Sequence, residues 1–132
     1  MASESRHLSV WIDRPLDTVY GYASNPANLA EWAAGLGSSV EKVDGQWVLD
    51  TPEGQIIVAF APQNEFGVLD HYVTTPSGEK VYVPLRVIAE GDRCEVVFTL
   101  RRAPGMSDAD FERDETAVAA DLATLKKVVE SR

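Results

Sequence analysis

The sequence predicts an α+β domain in which an antiparallel sheet packs on one long helix. Three patterns predict it: a strand running into two capped helix signals between Ile12 and Trp32, alternating segments broken by turn residues from Ser38 to Arg102, and an apolar stripe at three- and four-residue spacing from Phe111 to Val129. At 132 residues the chain forms one domain, 1–132, with enough mass for a single core.

The first element alternates, with Leu8, Val10 and Ile12 on one face and His7, Ser9 and Trp11 on the other, the mark of a half-buried strand. Asp13 is placed to cap a helix that begins at Pro15 and carries Leu16, Val19, Tyr20 and Ala23 on one side. Asn25-Pro26 repeats the signal for a second short helix with Leu29 and Trp32 on one side, stopped by Gly35 and Gly37. Strands are then expected over Val40 to Val43 and Gln46 to Asp50, joined by the tight-turn pair Asp44-Gly45. Further strands follow over Gln55 to Ala61, Phe66 to Thr74, Glu79 to Ala89 and Arg93 to Arg102, separated by turn residues. Pro84 cannot donate to a ladder, so it marks either a bulge or a locally unpaired position. Pro104-Gly105 ends the sheet, and Ser107 or Asp108 caps a helix to about Glu130. Its stripe of Phe111, Val118, Leu122, Leu125 and Val129 needs an apolar partner, since each buried side chain contributes roughly 1.5–3 kcal/mol, and the sheet is the only one available.

Composition narrows the function. Lys and Arg number 12 against 21 Asp and Glu, a net charge of −9, and such a surface repels phosphate backbones, which argues against nucleic acid. No run approaches the roughly 20 apolar residues that span a bilayer, and Met1 to Arg6 lacks the apolar stretch of a signal peptide, so a cytoplasmic protein with no membrane insertion is expected. Cys94 lies in an alternating apolar run without an electropositive neighbourhood, the setting of a buried small hydrophobe. The sequence has no His-x-x-x-His, no cysteine pair, no Gly-x-Gly-x-x-Gly and no Gly-x-Ser-x-Gly, so no metal or cofactor is expected.

The stretch Ile12 to Trp32, with its pattern of strand, Pro, short helix, Asn-Pro, short helix and Trp, resembles the START-like polyketide cyclase and birch-pollen-allergen-like superfamily. The ending Asp121-Leu122-Ala123-Thr124-Leu125-Lys126-Lys127 is similar to the Leu-x-x-Leu-Lys close common in those proteins. The resemblance implies a helix-grip fold, a curved antiparallel sheet of about six or seven strands wrapped on the C-terminal helix. It also implies a cavity between sheet and helix for a small apolar or aromatic molecule, with Tyr20, Trp32, Phe60, Phe98, Phe111, Val118 and Leu122 as candidate lining. The superfamily includes lipid carriers and polyketide cyclases, so fold alone does not choose among activities.

Two residues are candidates for chemistry in such a cavity. His71 shares a strand face with Leu69 and Val73, and points inward if that face meets the helix; otherwise it is a histidine satisfied in the core or at an edge. Glu115 interrupts the last helix's stripe and either faces the cavity, forming with His71 an acid–base pair of the polyketide cyclase or dehydratase type, or sits on the rim paired with Arg86 or Arg101. The third reading is a homodimeric interaction domain with a collapsed cavity, using Trp11, Trp47 and Tyr72 as an exposed aromatic patch.

Overall fold

The period-two pattern at the start becomes β1 (Ser5–Ile12), whose Arg6, Leu8, Val10 and Ile12 turn inward while the residues between them stay exposed. The computed structural model describes residues 4–34 and 36–132, so the helix stop predicted at Gly35 lies outside the described residues. After β1 come α1 (Leu16–Ala23), a 3-10 helix (Pro26–Asn28) and α2 (Leu29–Trp32). Asn25 caps as predicted, its Oδ1 accepting from the Ala27 N–H at 3.1 Å. Asp13 does not cap. Pro15 occupies the N-cap position of α1 with no side chain accepting there, and the Asp13 N–H instead donates to Glu130 Oε2 at 2.8 Å.

The meander follows as β2 (Ser39–Val43), β3 (Gln46–Thr51), β4 (Gly54–Phe60), β5 (His71–Thr74), β6 (Lys80–Val83), β7 (Leu85–Glu90) and β8 (Arg93–Arg101). Asp44 and Gly45 both adopt positive φ, 51° and 81°, which a two-residue hairpin turn requires. The strands form two antiparallel sheets, β1-β8-β7 and β2-β3-β4-β5-β6. The strand predicted over Glu79 to Ala89 divides at Pro84 because proline has no N–H to give the ladder. β6 pairs with β5 and β7 with β8, while the Pro84 carbonyl still accepts from the Thr99 N–H at 3.0 Å. The two sheets therefore meet along one chain segment, broken at Pro84.

The strand predicted over Phe66 to Thr74 is shorter. Its first part runs as a loop beside β7, held by the Leu69 N–H to the Leu85 carbonyl and the Val87 N–H to the Gly67 carbonyl, each 2.8 Å. Gly67 sits at φ 72°, and a Cβ there would lie 2.2 Å from the Val87 carbonyl oxygen, so only glycine allows this approach. Asn64 staples the same loop, its Oδ1 accepting from the Phe66 and Val68 N–H groups at 3.0 and 3.1 Å.

α3 (Asp108–Glu130) begins at Ser107, whose hydroxyl oxygen accepts from the Asp110 N–H at 3.1 Å. Its buried residues are Phe111, Leu122, Leu125 and Val129. Between Phe111 and Leu122 the stripe opens: Val118 and Glu115 are half-buried and Ala117 is exposed. The helix is anchored by its C-terminal half, and the gap lies beneath its N-terminal half.

Candidate functional site: a cavity under the last helix

That gap is a cavity of about 240 Å³ with three walls. α3 supplies Asp114, Ala117, Val118, Asp121 and Leu122, which recur at the three- and four-residue spacing of one helical face. The short helical segment supplies Leu29, Trp32, Ala33 and Leu36. The sheet supplies Phe60, His71, Val73, Val83, Phe98 and Leu100. Phe60 pairs with His71 and His71 with Val83, so these three side chains form one row across neighbouring strands and point to the same face.

His71 is the polar centre of the sheet wall, only 5% exposed. Its Nδ1 lies 2.9 Å from the Leu69 carbonyl oxygen. A carbonyl can only accept, so Nδ1 carries the proton and Nε2 of the neutral ring is left as a bare acceptor. Burial pushes the ring's pKa below its usual value, outweighing the Leu69 hydrogen bond and the Asp70 charge, so the ring is neutral near pH 7. The Phe60 ring packs on it, centroids 5.0 Å apart.

Trp32 is 4% exposed. Among the described residues its indole Nε1 is the buried side-chain nitrogen without a hydrogen-bond partner. An unpaired buried donor costs about 1–3 kcal/mol. On the helix wall the Asp114 carboxyl is pushed above its ordinary value, first by desolvation and then by the like charge of Asp110, against the opposing pull of Arg113.

Behind His71 the loop is locked by Asp70. Its Oδ1 accepts from the Leu85 N–H at 3.0 Å and Arg86 Nε at 2.8 Å; its Oδ2 accepts from Arg86 Nη2 at 2.7 Å and from the Tyr82 hydroxyl. The Arg86 guanidinium holds this buried carboxyl far below the usual carboxylate range, overcoming desolvation. The clamp bridges β6 and β7 at the Pro84 break and so fixes the residue before His71.

Of the residues singled out in the sequence, His71, Trp32, Phe60, Phe98, Val118 and Leu122 border the cavity. Tyr20, Phe111 and Glu115 do not. The Tyr20 hydroxyl accepts from the Asn64 N–H at 3.0 Å and ties down the loop. Phe111, 1% exposed, lies beneath the Arg6 and Arg102 guanidinium groups. Glu115 accepts from Arg6 Nη1 at 2.7 Å, with its side chain 37% exposed. Its partner is neither Arg86, which is engaged by Asp70, nor Arg101; Arg6 takes that place because β1 turns it inward against α3. Glu115 is therefore not the carboxylate that shares a cavity with His71; Asp114 and Asp121 border it instead. Sequence reasoning passes over these two because aspartates on a helix look the same whether they face solvent or a cavity mouth.

The aromatic patch does not assemble as expected. Tyr72 pairs with Ala59 and Tyr82 on the outer face, whereas Trp47 lies opposite the buried Val58 and shares the inner face. Trp11 is covered by the Arg93 guanidinium, 4.5 Å from the ring centroid, in the other sheet. Among the described residues no group of three or more His, Cys, Asp or Glu is gathered for a metal ion, and no helix is long and apolar enough to cross a membrane.

This architecture, with a helix gripped by a two-part antiparallel sheet and short helices over one end, is the helix-grip fold of START-like and birch-pollen-allergen-like proteins. No protein-family model and no curated protein sequence matches the chain. Solved structures match along nearly its whole length. A START superfamily protein from Mycobacterium smegmatis aligns with a TM-score of 0.72 at 14% identity over 98% of this chain and 99% of that one. The Zhui aromatase/cyclase from Streptomyces sp. R1128 gives 0.67 at 17% identity over 99% and 96%. Norcoclaurine synthase from Thalictrum flavum, solved with dopamine and hydroxybenzaldehyde, gives 0.65 at 15% identity over 99% and 88%. At these identities the likeness is one of fold.

Proposed function

We propose that this protein binds a small apolar or aromatic molecule in the cavity between the sheet and α3. The observation that carries the reading is an open space of about 240 Å³ walled by Trp32, Phe60, Phe98, Val118 and Leu122, with a few polar groups among them, the make-up of a ligand pocket. A cavity of about 150 Å³ lined by aliphatic and aromatic side chains holds benzene, so the space here suits a single substituted ring and not a sterol. Dopamine and hydroxybenzaldehyde, which norcoclaurine synthase holds in its solved structure, are single substituted rings of that size. The buried, free thiol of Cys94 suits a reducing compartment such as the cytoplasm. Displacement of an apolar fluorescent dye by single-ring compounds tests the reading: Val118→Trp, which fills the cavity, is expected to abolish displacement. Unchanged displacement in that variant would refute it.

A second reading, catalysis of the polyketide cyclase or dehydratase type, is favoured by one observation: a neutral His71 with a bare Nε2 on the cavity wall, the state a general base needs. Asp114 or Asp121 would then supply the carboxylate in place of Glu115. In this case His71→Ala abolishes turnover and leaves dye displacement intact; an unchanged rate removes His71 as a catalyst. The homodimer reading loses its premise of a collapsed cavity and is left with the exposed Trp11, Tyr72, Tyr82 and Ile88, scattered over both sheets.

A further inference from the structure

Resting on the binding role proposed above, we infer that the occupant is an aromatic molecule with a hydroxyl group that donates to His71 Nε2, and that the site refuses carboxylate ligands. The polar complement of the cavity is unequal. His71 Nε2 can only accept, because Leu69 holds the proton on Nδ1. Asp114 borders the same space from α3, and a carboxylate likewise accepts. The Trp32 indole nitrogen, though unpaired, is fully buried and does not open onto this space, so the polar groups of the lining are acceptors.

Each simple ligand class meets this set differently. A hydrocarbon or an aryl ether brings no donor, so Nε2 stays unpaired on binding. A carboxylate brings only acceptors and sets a negative charge beside Asp114 in a protein of net charge −9. A hydroxyl supplies the donor that Nε2 lacks without adding negative charge, and the aromatic walls suit the ring that carries it.

The test is calorimetric titration near neutral pH with four molecules of one shape: p-cresol, toluene, 4-methylanisole and 4-methylbenzoate. The expected result is p-cresol about five- to tenfold tighter than toluene or 4-methylanisole, the size of one net hydrogen bond, with no binding of 4-methylbenzoate. In His71→Phe the advantage of p-cresol over toluene is expected to fall below about twofold. Nitrogen NMR of histidine-labelled wild-type protein gives a readout that does not depend on the variant's folding: p-cresol should move the Nε2 resonance of His71 upfield, and toluene should not. The chain has 2 histidines, so His7→Gln assigns the signal. Equal affinities for p-cresol and toluene, or a still Nε2 resonance, overturn the inference while the cavity stands as a binding site. Tight binding of 4-methylbenzoate overturns it as well. Failure of all four molecules to bind overturns the inference together with the binding role.

Discussion

The two halves of α3 lie over one two-part sheet assembly and do different things. In the C-terminal half Leu122, Leu125 and Val129 are at most 2% exposed and complete the core with Ile12, Val96 and Leu85. In the N-terminal half Phe111 alone is fully buried, and Asp114, Ala117 and Val118 lie over open space. The anchored half supplies the burial energy that lets the other half roof a cavity it does not fill. Stability and binding are thus separated along one helix.

That division is strained most severely at the anchor. Leu125→Ala, at a site with no exposure, is expected to cost about 2–5 kcal/mol in urea unfolding, by lost burial and the cavity left behind. A cost below about 1 kcal/mol would show that the C-terminal half does not hold the helix. Next comes the clamp at the Pro84 break. Asp70→Asn is expected to cost about 1.5–3 kcal/mol, because hydrogen bonds to a charged, buried acceptor are weakened or lost.

The same carboxylate gives a pH signature. Its pKa is depressed in the folded protein, so its contribution is full above the unfolded value of about 4 and is lost as pH falls toward the folded one. Unfolding midpoints measured between about pH 5 and pH 2.5 should fall with acid in the wild type and less steeply in Asp70→Asn. Equal slopes would remove Asp70 as their source. In the roofing half, Val118→Trp is expected to shift the midpoint little while removing ligand binding, the reverse of Leu125→Ala. The smallest effect belongs to Glu115→Gln: its partly exposed pair with Arg6 is worth under about 1 kcal/mol, and binding should be unchanged. A loss of binding there would return Glu115 to the site.

Much of this division is legible in the sequence. Capping at Asn25 and Ser107, the Asp44-Gly45 turn and the apolar stripe of α3 are local signals, and they mark the elements and their order. Sheet periodicity also groups His71 with Leu69 and Val73 on one face, but leaves open whether that face meets the helix. What escapes the sequence is of three kinds. Pro84 marks a discontinuity, but that the chain breaks there into two strands rests on their pairing with different partners, β5 and β8, far apart in sequence. Glu115 stands out as a break in the stripe of its own helix, while its true partner, Arg6, comes from the far end of the chain. Asp114 and Asp121 look solvated because their surroundings arise only when α3 is seated and its N-terminal half stands off the sheet.

The most direct test of the separation is a crystal structure of the protein grown with 4-bromophenol, read by anomalous scattering from bromine. A cavity roofed by a helix anchored elsewhere predicts a single bromine peak between Phe60, His71 and Val118, with α3 unmoved. A filled interior, with Val118 packed against Phe98 and no peak beneath the helix, would contradict it.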